Sequence, residues 1–142
     1  MRTPEISGDE ASSESALLDV LGKLKIKENY VPDIVVFLQC TAPFITEEDV
    51  DGTINKLIEN QADCGLAVKE FHYFIWEYDD VLNTAVGVNH NEWKLRELRQ
   101  DRPPQYLEAG AIYVMKTRAF LKNKNRFFGK ISIYIMPSAR VF

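Results

Sequence analysis

The segment Asp33-Ile34-Val35-Val36-Phe37-Leu38 constrains the fold more than any other. It is a short, unbroken apolar run rich in β-branched residues, entered through Pro32, and it predicts a strand buried on both faces. Such strands belong to sheets covered by helices, where parallel pairing is the usual arrangement. Downstream, Thr46-Glu47-Glu48-Asp49 predicts a helix start, with a hydroxyl for the first unpaired amides and acidic groups at the positive helix end. Val50, Ile54, Leu57 and Ile58 continue it at helical spacing, and Gly65-Leu66-Ala67-Val68 follows as a second apolar strand. Together these pieces form a β-α-β unit, expected to cross over right-handed.

The flanks extend the same pattern. Leu17, Val20, Leu21 and Leu24 behind the candidate caps Ser12 and Ser13 predict a helix from about Ser13 to about Lys25. From Phe71 to about Pro104 the text changes: aromatic residues cluster at Phe71, Tyr73, Phe74, Trp76 and Tyr78, then turn-prone residues such as Asn83 and Asn89 appear. That stretch reads as a strand-rich excursion from the main sheet. Ala111 to Met115 then predicts a strand, Thr117 to about Lys122 a short helix and Ile131 to Met136 a last strand. No repeat or low-complexity linker divides residues 1–142, so one α/β domain is expected.

Composition narrows the function classes. A chain that is 46% hydrophobic has material for a core, and a net charge of -4, with no basic stripe, makes a nucleic acid polymer a poor partner. No apolar run approaches the roughly 20 residues of a membrane-spanning helix, and the polar, acidic stretch from Met1 to Glu14 is unlike a signal peptide. Cys40 and Cys64 stand apart in apolar surroundings and read as small buried hydrophobes of a reducing compartment. His72 and His90 add no metal-ligand spacing, and no nucleophilic triad can be read.

In an open α/β sheet ligands bind beyond the carboxyl ends of strands, which points to Gln39-Cys40-Thr41-Ala42-Pro43-Phe44. Gln39 could hold a polyol or nucleotide edge, or merely satisfy backbone groups. Arg99-Gln100-Asp101-Arg102-Pro103-Pro104 offers guanidinium forks for a carboxylate or phosphate, or a solvated loop with local ion pairs. Tyr113, after Gly110, could present its hydroxyl or pack in the core. Phe127 and Phe128 could wall a pocket or belong to the core. All seven glycines stand singly, so no phosphate-cradling glycine motif is present.

The blocks from Arg2 to Ser13, Leu38-Gln39-Cys40-Thr41-Ala42-Pro43, Arg99-Gln100-Asp101 and Gly110-Ala111-Ile112-Tyr113 occur in an order and spacing that resemble the acylneuraminate (CMP-sialic acid) cytidylyltransferases, over nearly the whole chain. The resemblance implies a three-layer, Rossmann-like nucleotide-diphospho-sugar transferase fold with a mixed, mainly parallel sheet. It also implies transfer of CMP from CTP to an acidic nine-carbon sugar, with release of pyrophosphate and help from Mg2+. By position, Arg2 and Ser13 would recognise the nucleotide, while Gln39, Arg99, Tyr113, Phe127 and Phe128 would line the sugar pocket. The excursion at about 71–104 would reach into a second copy of a cytoplasmic homodimer.

Departures from the family pattern are Cys40-Thr41-Ala42-Pro43 for the usual Pro-Thr-Ser-Pro and Ala109 for an asparagine. Trp76 and Leu107 stand where some members carry a lysine and an arginine. The family's triphosphate loop would precede this sequence and its acidic metal site would follow it. The chain is therefore expected to hold neither catalytic nor metal-ligating residues, to be inactive and marginally soluble by itself, and to need a complementing partner. The alternative is a noncatalytic α/β sugar-binding or oligomerisation module.

Overall fold

A computed structural model describes residues 11–141. Arg2, with most of the first resembling block, lies outside the described residues. Two compact units are present: a sheet unit, which includes residues 11–69 and 108–141, and an excursion, Glu70–Leu107.

In the sheet unit, helix α1 spans Ser13–Glu28. Ser12 caps it by accepting the Ser15 amide at 3.2 Å, and Asn29, in the left-handed conformation at φ 51°, closes its other end. Strand β1 (Ile34–Leu38) leads to helix α2 (Glu47–Glu59). The start of α2 is a capping box in which Asp49 Oδ2 accepts the Thr46 amide at 3.0 Å. Strand β2 covers Cys64–Phe71, and the chain returns on β5 (Gln105–Lys116), helix α3 (Thr117–Asn123) and β6 (Ile131–Ile135).

The strand order in this sheet is β1-β5-β2-β6. Strand β5 runs antiparallel to β1, with Phe37 opposite Tyr113 and Leu38 opposite Ile112, while β2 and β6 are parallel. The Lys116 amide at the end of β5 donates to the Asp63 carbonyl at the start of β2, so these neighbours also run opposed. Adjacent pairing is thus mostly antiparallel, which corrects the expectation of a mainly parallel sheet. The apolar residues of β5 were legible, but its direction was not, because the excursion rather than a helical crossover delivers the chain into it.

Alternation along the strands builds a core on each face. Ile34, Val36, Ile112, Val114 and Ala67 pack with Val50, Ile54 and Leu57 of α2. Val35, Met115 and Cys64 pack with Leu17, Leu18 and Leu21 of α1 and Phe120 of α3 on the other face. Strand β1 is less enclosed than expected: Val35 is its one buried residue and Leu38 is 48% exposed, because among the described strands β1 pairs on one side only. Cys64 is buried as read, whereas Cys40 is exposed, since it lies past the strand end.

The excursion has a different economy. Strands β3 (Trp76–Asp79) and β4 (Thr84–Gly87) form an antiparallel hairpin. Asp79 Oδ1 accepts the Val81 and Leu82 amides at 2.9 Å, and Asn83, at φ 50°, completes the turn. Asn89 ties the loops together: its Oδ1 accepts the Ile75 amide at 2.8 Å, and its Nδ2 donates to the Tyr73 carbonyl and to Gln105 Oε1, each at 2.9 Å. Phe74 is sandwiched between Arg96 and Arg102, whose guanidinium carbons stand 4.3 and 4.2 Å from its ring centre. No residue of 70–107 is fully buried.

Candidate sugar-side site

The carboxyl end of β1 and the middle of β5 bring together part of what the sequence singled out. The Gln39 amide donates to the Ala111 carbonyl at 2.9 Å, and the Gln39 carbonyl accepts the Ala42 amide at 3.2 Å, which shapes the strand-end loop. The half-buried Gln39 side chain lies beside Gly110: a Cβ added there would stand 3.6 Å from Gln39 Oε1. Three positions on, Tyr113 is buried. Its ring stacks on Phe37 and meets the edge of Phe127, each at 5.9 Å between centroids.

Charged groups that sequence reasoning missed surround this aromatic cluster. Arg126 Nε donates to Glu14 Oε1 at 2.6 Å, and both side chains are mostly buried. The same guanidinium lies 4.7 Å from the Tyr113 ring centre and 5.4 Å from that of Phe37. The Tyr113 hydroxyl donates to Glu108 Oε1. Burial first, and then the Glu108 carboxylate, push the Tyr113 hydroxyl up to about 12, so it stays a donor at neutral pH. Arg126 holds the Glu14 carboxyl below its usual range despite burial. Glu14 and Arg126 are 112 positions apart, so no local spacing could have announced them.

The remaining candidates have separate surroundings. Ser13 is the first residue of α1, next to Glu14. Phe127 and Phe128 occupy the segment between α3 and β6 and pack against the α1/α3 core; the Phe128 amide and carbonyl both meet Cys64 Sγ, at 3.4 and 3.2 Å. Arg99 is exposed at a one-turn helix, Arg99–Asp101, in the excursion. There it lines a cavity of about 110 Å³ with His72, Arg102 and Gln105. Beside it Arg102 donates to the His72 carbonyl at 3.3 Å, to the Asn89 carbonyl at 3.5 Å and to Gln105 Oε1 at 3.1 Å. A larger cavity of about 710 Å³ lies elsewhere in the sheet unit, between Pro32, Ile34, Leu57, Ile58 and Arg118, and holds none of these candidates.

Magnesium, expected from the resemblance, finds no seat among the described residues, where no three His, Cys, Asp or Glu side chains converge. The buried carboxylate of Asp49 is occupied by Arg140 Nη1, at 3.0 and 2.9 Å, and by Thr46. Among the described residues no helix is long and apolar enough to cross a membrane.

No protein-family model matches the chain. Two curated relatives align with it: pseudaminic acid cytidylyltransferases of Campylobacter jejuni subsp. jejuni, 29% identical for serotype O:23/36 and 28% for serotype O:2, each over 139 residues and 96% of this chain. The chain spans 59% of the length of these relatives. Along nearly all of its length the chain is thus similar in sequence to these two cytidylyltransferases.

Proposed function

We propose that this chain forms the acid-sugar side of a CTP-dependent cytidylyltransferase acting on a nonulosonic acid of the pseudaminic class, within the nucleotide-diphospho-sugar transferase fold. The observation that carries the reading is the meeting of the Gln39 loop with Gly110-Ala111 on β5, next to the aromatic cluster of Phe37, Tyr113 and Phe127. In this reading Gln39 supplies both a donor and an acceptor to sugar hydroxyls, and the aromatic cluster backs the site from within the sheet unit. Ser13, and Arg2 beyond the described residues, contact the nucleotide. The Mg2+ of the proposed reaction would neutralise phosphate charge, and the described residues offer it no ligand set. The reaction is cytoplasmic, where CTP is available.

The excursion is proposed as the contact to a second copy, with Arg99 turned to the sugar's carboxylate in the assembled pair. Its exposed apolar side chains support this: Val81, Trp93 and Leu95 are 93%, 89% and 97% exposed, apolar surface that a second copy could cover. The test is pyrophosphate release from CTP and Mg2+ with pseudaminic acid and other nonulosonic acids, alongside calorimetric binding of the same sugars. Sugar binding without turnover fits the noncatalytic alternative. Absence of both binding and turnover overturns the proposal.

A further inference from the structure

Strand β5 carries an irregularity that the pocket reading leaves unused. Glu108 and Tyr113 are five residues apart, and along an unbroken strand an odd spacing sends side chains to opposite faces. Yet the Tyr113 hydroxyl donates to Glu108 Oε1. The break lies between them, at Gly110, whose φ of 61° is that of glycine in a β-bulge. Crowding does not impose the glycine, since an added Cβ would find its nearest neighbour at 3.6 Å. The backbone conformation does. A backbone turned this way re-aims the side chains before it, and Glu108 meets the Tyr113 hydroxyl while Gly110 itself lies beside Gln39.

The charges nearby define what Glu108 can accept. Glu14 and Arg126 neutralise each other at 2.6 Å, so the Glu108 carboxylate leaves this cluster with a negative excess. A phosphate or carboxylate of a ligand is repelled there, whereas a hydroxyl or amide N–H is welcome. Glu108 is exposed, and among the described residues Tyr113 engages its Oε1, which leaves Oε2 as an acceptor.

We infer that Glu108 is a specificity-determining contact for the neutral flank of the sugar, accepting a hydrogen bond from an acylamino N–H or a hydroxyl, with Tyr113 and Gly110 as its positioning residues. The inference rests on the acid-sugar reading of this site. It also orients the ligand: the sugar's own carboxylate points away from Glu108.

The experiment is calorimetric titration of the chain with pseudaminic acid and with analogues in which one donor at a time is deoxygenated or N-methylated, repeated for Glu108→Ala and Glu108→Gln. Loss of one charge-assisted hydrogen bond weakens binding of pseudaminic acid about tenfold in Glu108→Ala. One analogue should bind about tenfold more weakly than the parent sugar to the unaltered chain, yet no more weakly than the parent to Glu108→Ala, a cancellation that a merely structural role would not produce. The isosteric Glu108→Gln carries the same comparison if Glu108→Ala fails to fold. Equal losses for every analogue in the unaltered chain and the variants would overturn the inference while leaving the acid-sugar reading intact. Failure of the unaltered chain to bind any nonulosonic acid would instead overturn that reading, and this inference with it.

Discussion

The sheet unit and the excursion solve the problem of staying folded in opposite ways. In the sheet unit, Leu57, Ile112, Val114, Met115 and Phe120 are essentially inaccessible to water, and polar groups serve mainly to end and join elements. In the excursion nothing is fully buried, and Asn89, Arg102 and the Asp79 turn do the joining. The difference teaches that apolar content alone does not make a core. Residues 70–107 are as aromatic as the sheet is aliphatic, but their hairpin is too small to cover its own faces, and a two-stranded hairpin is marginal in water without support. The excursion is therefore the part whose stability depends on company.

The contrast is broken most forcefully at Phe120. Truncating this buried ring to alanine should cost about 3 to 5 kcal/mol in chemical denaturation, whereas Leu95→Ala in the excursion should change the stability of the isolated chain by less than about 0.5 kcal/mol. Comparable losses at both positions would erase the distinction.

Next in size is Asp49→Asn, which leaves Arg140 without its charged partner and should lower the denaturation midpoint measurably, though by less than Phe120→Ala. Burial works to raise the Asp49 carboxyl, but the Thr46 amide and the Arg140 guanidinium outweigh it and hold the group below its usual range. A folded value below the unfolded one means that this contribution is complete above about pH 4 and fades as pH falls through the folded value. Asp49→Asn should flatten that share of the acid-side loss, read as midpoint against pH.

Asn89→Ala sharpens the comparison from the other side. It removes the hydrogen bonds of the Asn89 side chain to Ile75, Tyr73, Gln105 and His90 and should cost about 1 to 2 kcal/mol locally, seen as faster amide exchange in 70–107 with the amides of β2 and β5 unchanged in their protected core. Spread of the effect through the sheet would show that the two units unfold as one. Within the sheet unit the smallest effect is expected at Gly110→Ala, where the left-handed backbone costs about 1 kcal/mol. Its signature is a Tyr113 hydroxyl titrating below about 12, as Glu108 moves away.

What the sequence disclosed follows the same division. Helix α2, its cap at Thr46, and the strands at Ile34, Gly65, Ala111 and Ile131 were legible because each is written in local periodicity and capping chemistry. The direction of β5, the exposure of β1 and the surface position of Cys40 were not, since they depend on which strand lies alongside. At the candidate site, Gln39 and Tyr113 stood out by position relative to strands, and the structure brings their neighbourhoods together. Glu14, Arg126 and Glu108 were silent: their partners are distant in sequence or joined across a bulge. Arg99 belongs to the excursion, where local text could suggest charge but not what it faces.

The two thiols offer a last, practical consequence. Cys64 is sealed behind Phe128, and burial pushes its thiol up, so it should ignore alkylating reagents, while Cys40 stands open immediately after Gln39. A single fluorophore can thus be attached to the native sequence next to Gln39, at the carboxyl end of β1. The chain carries its own attachment point for an optical probe of the proposed site.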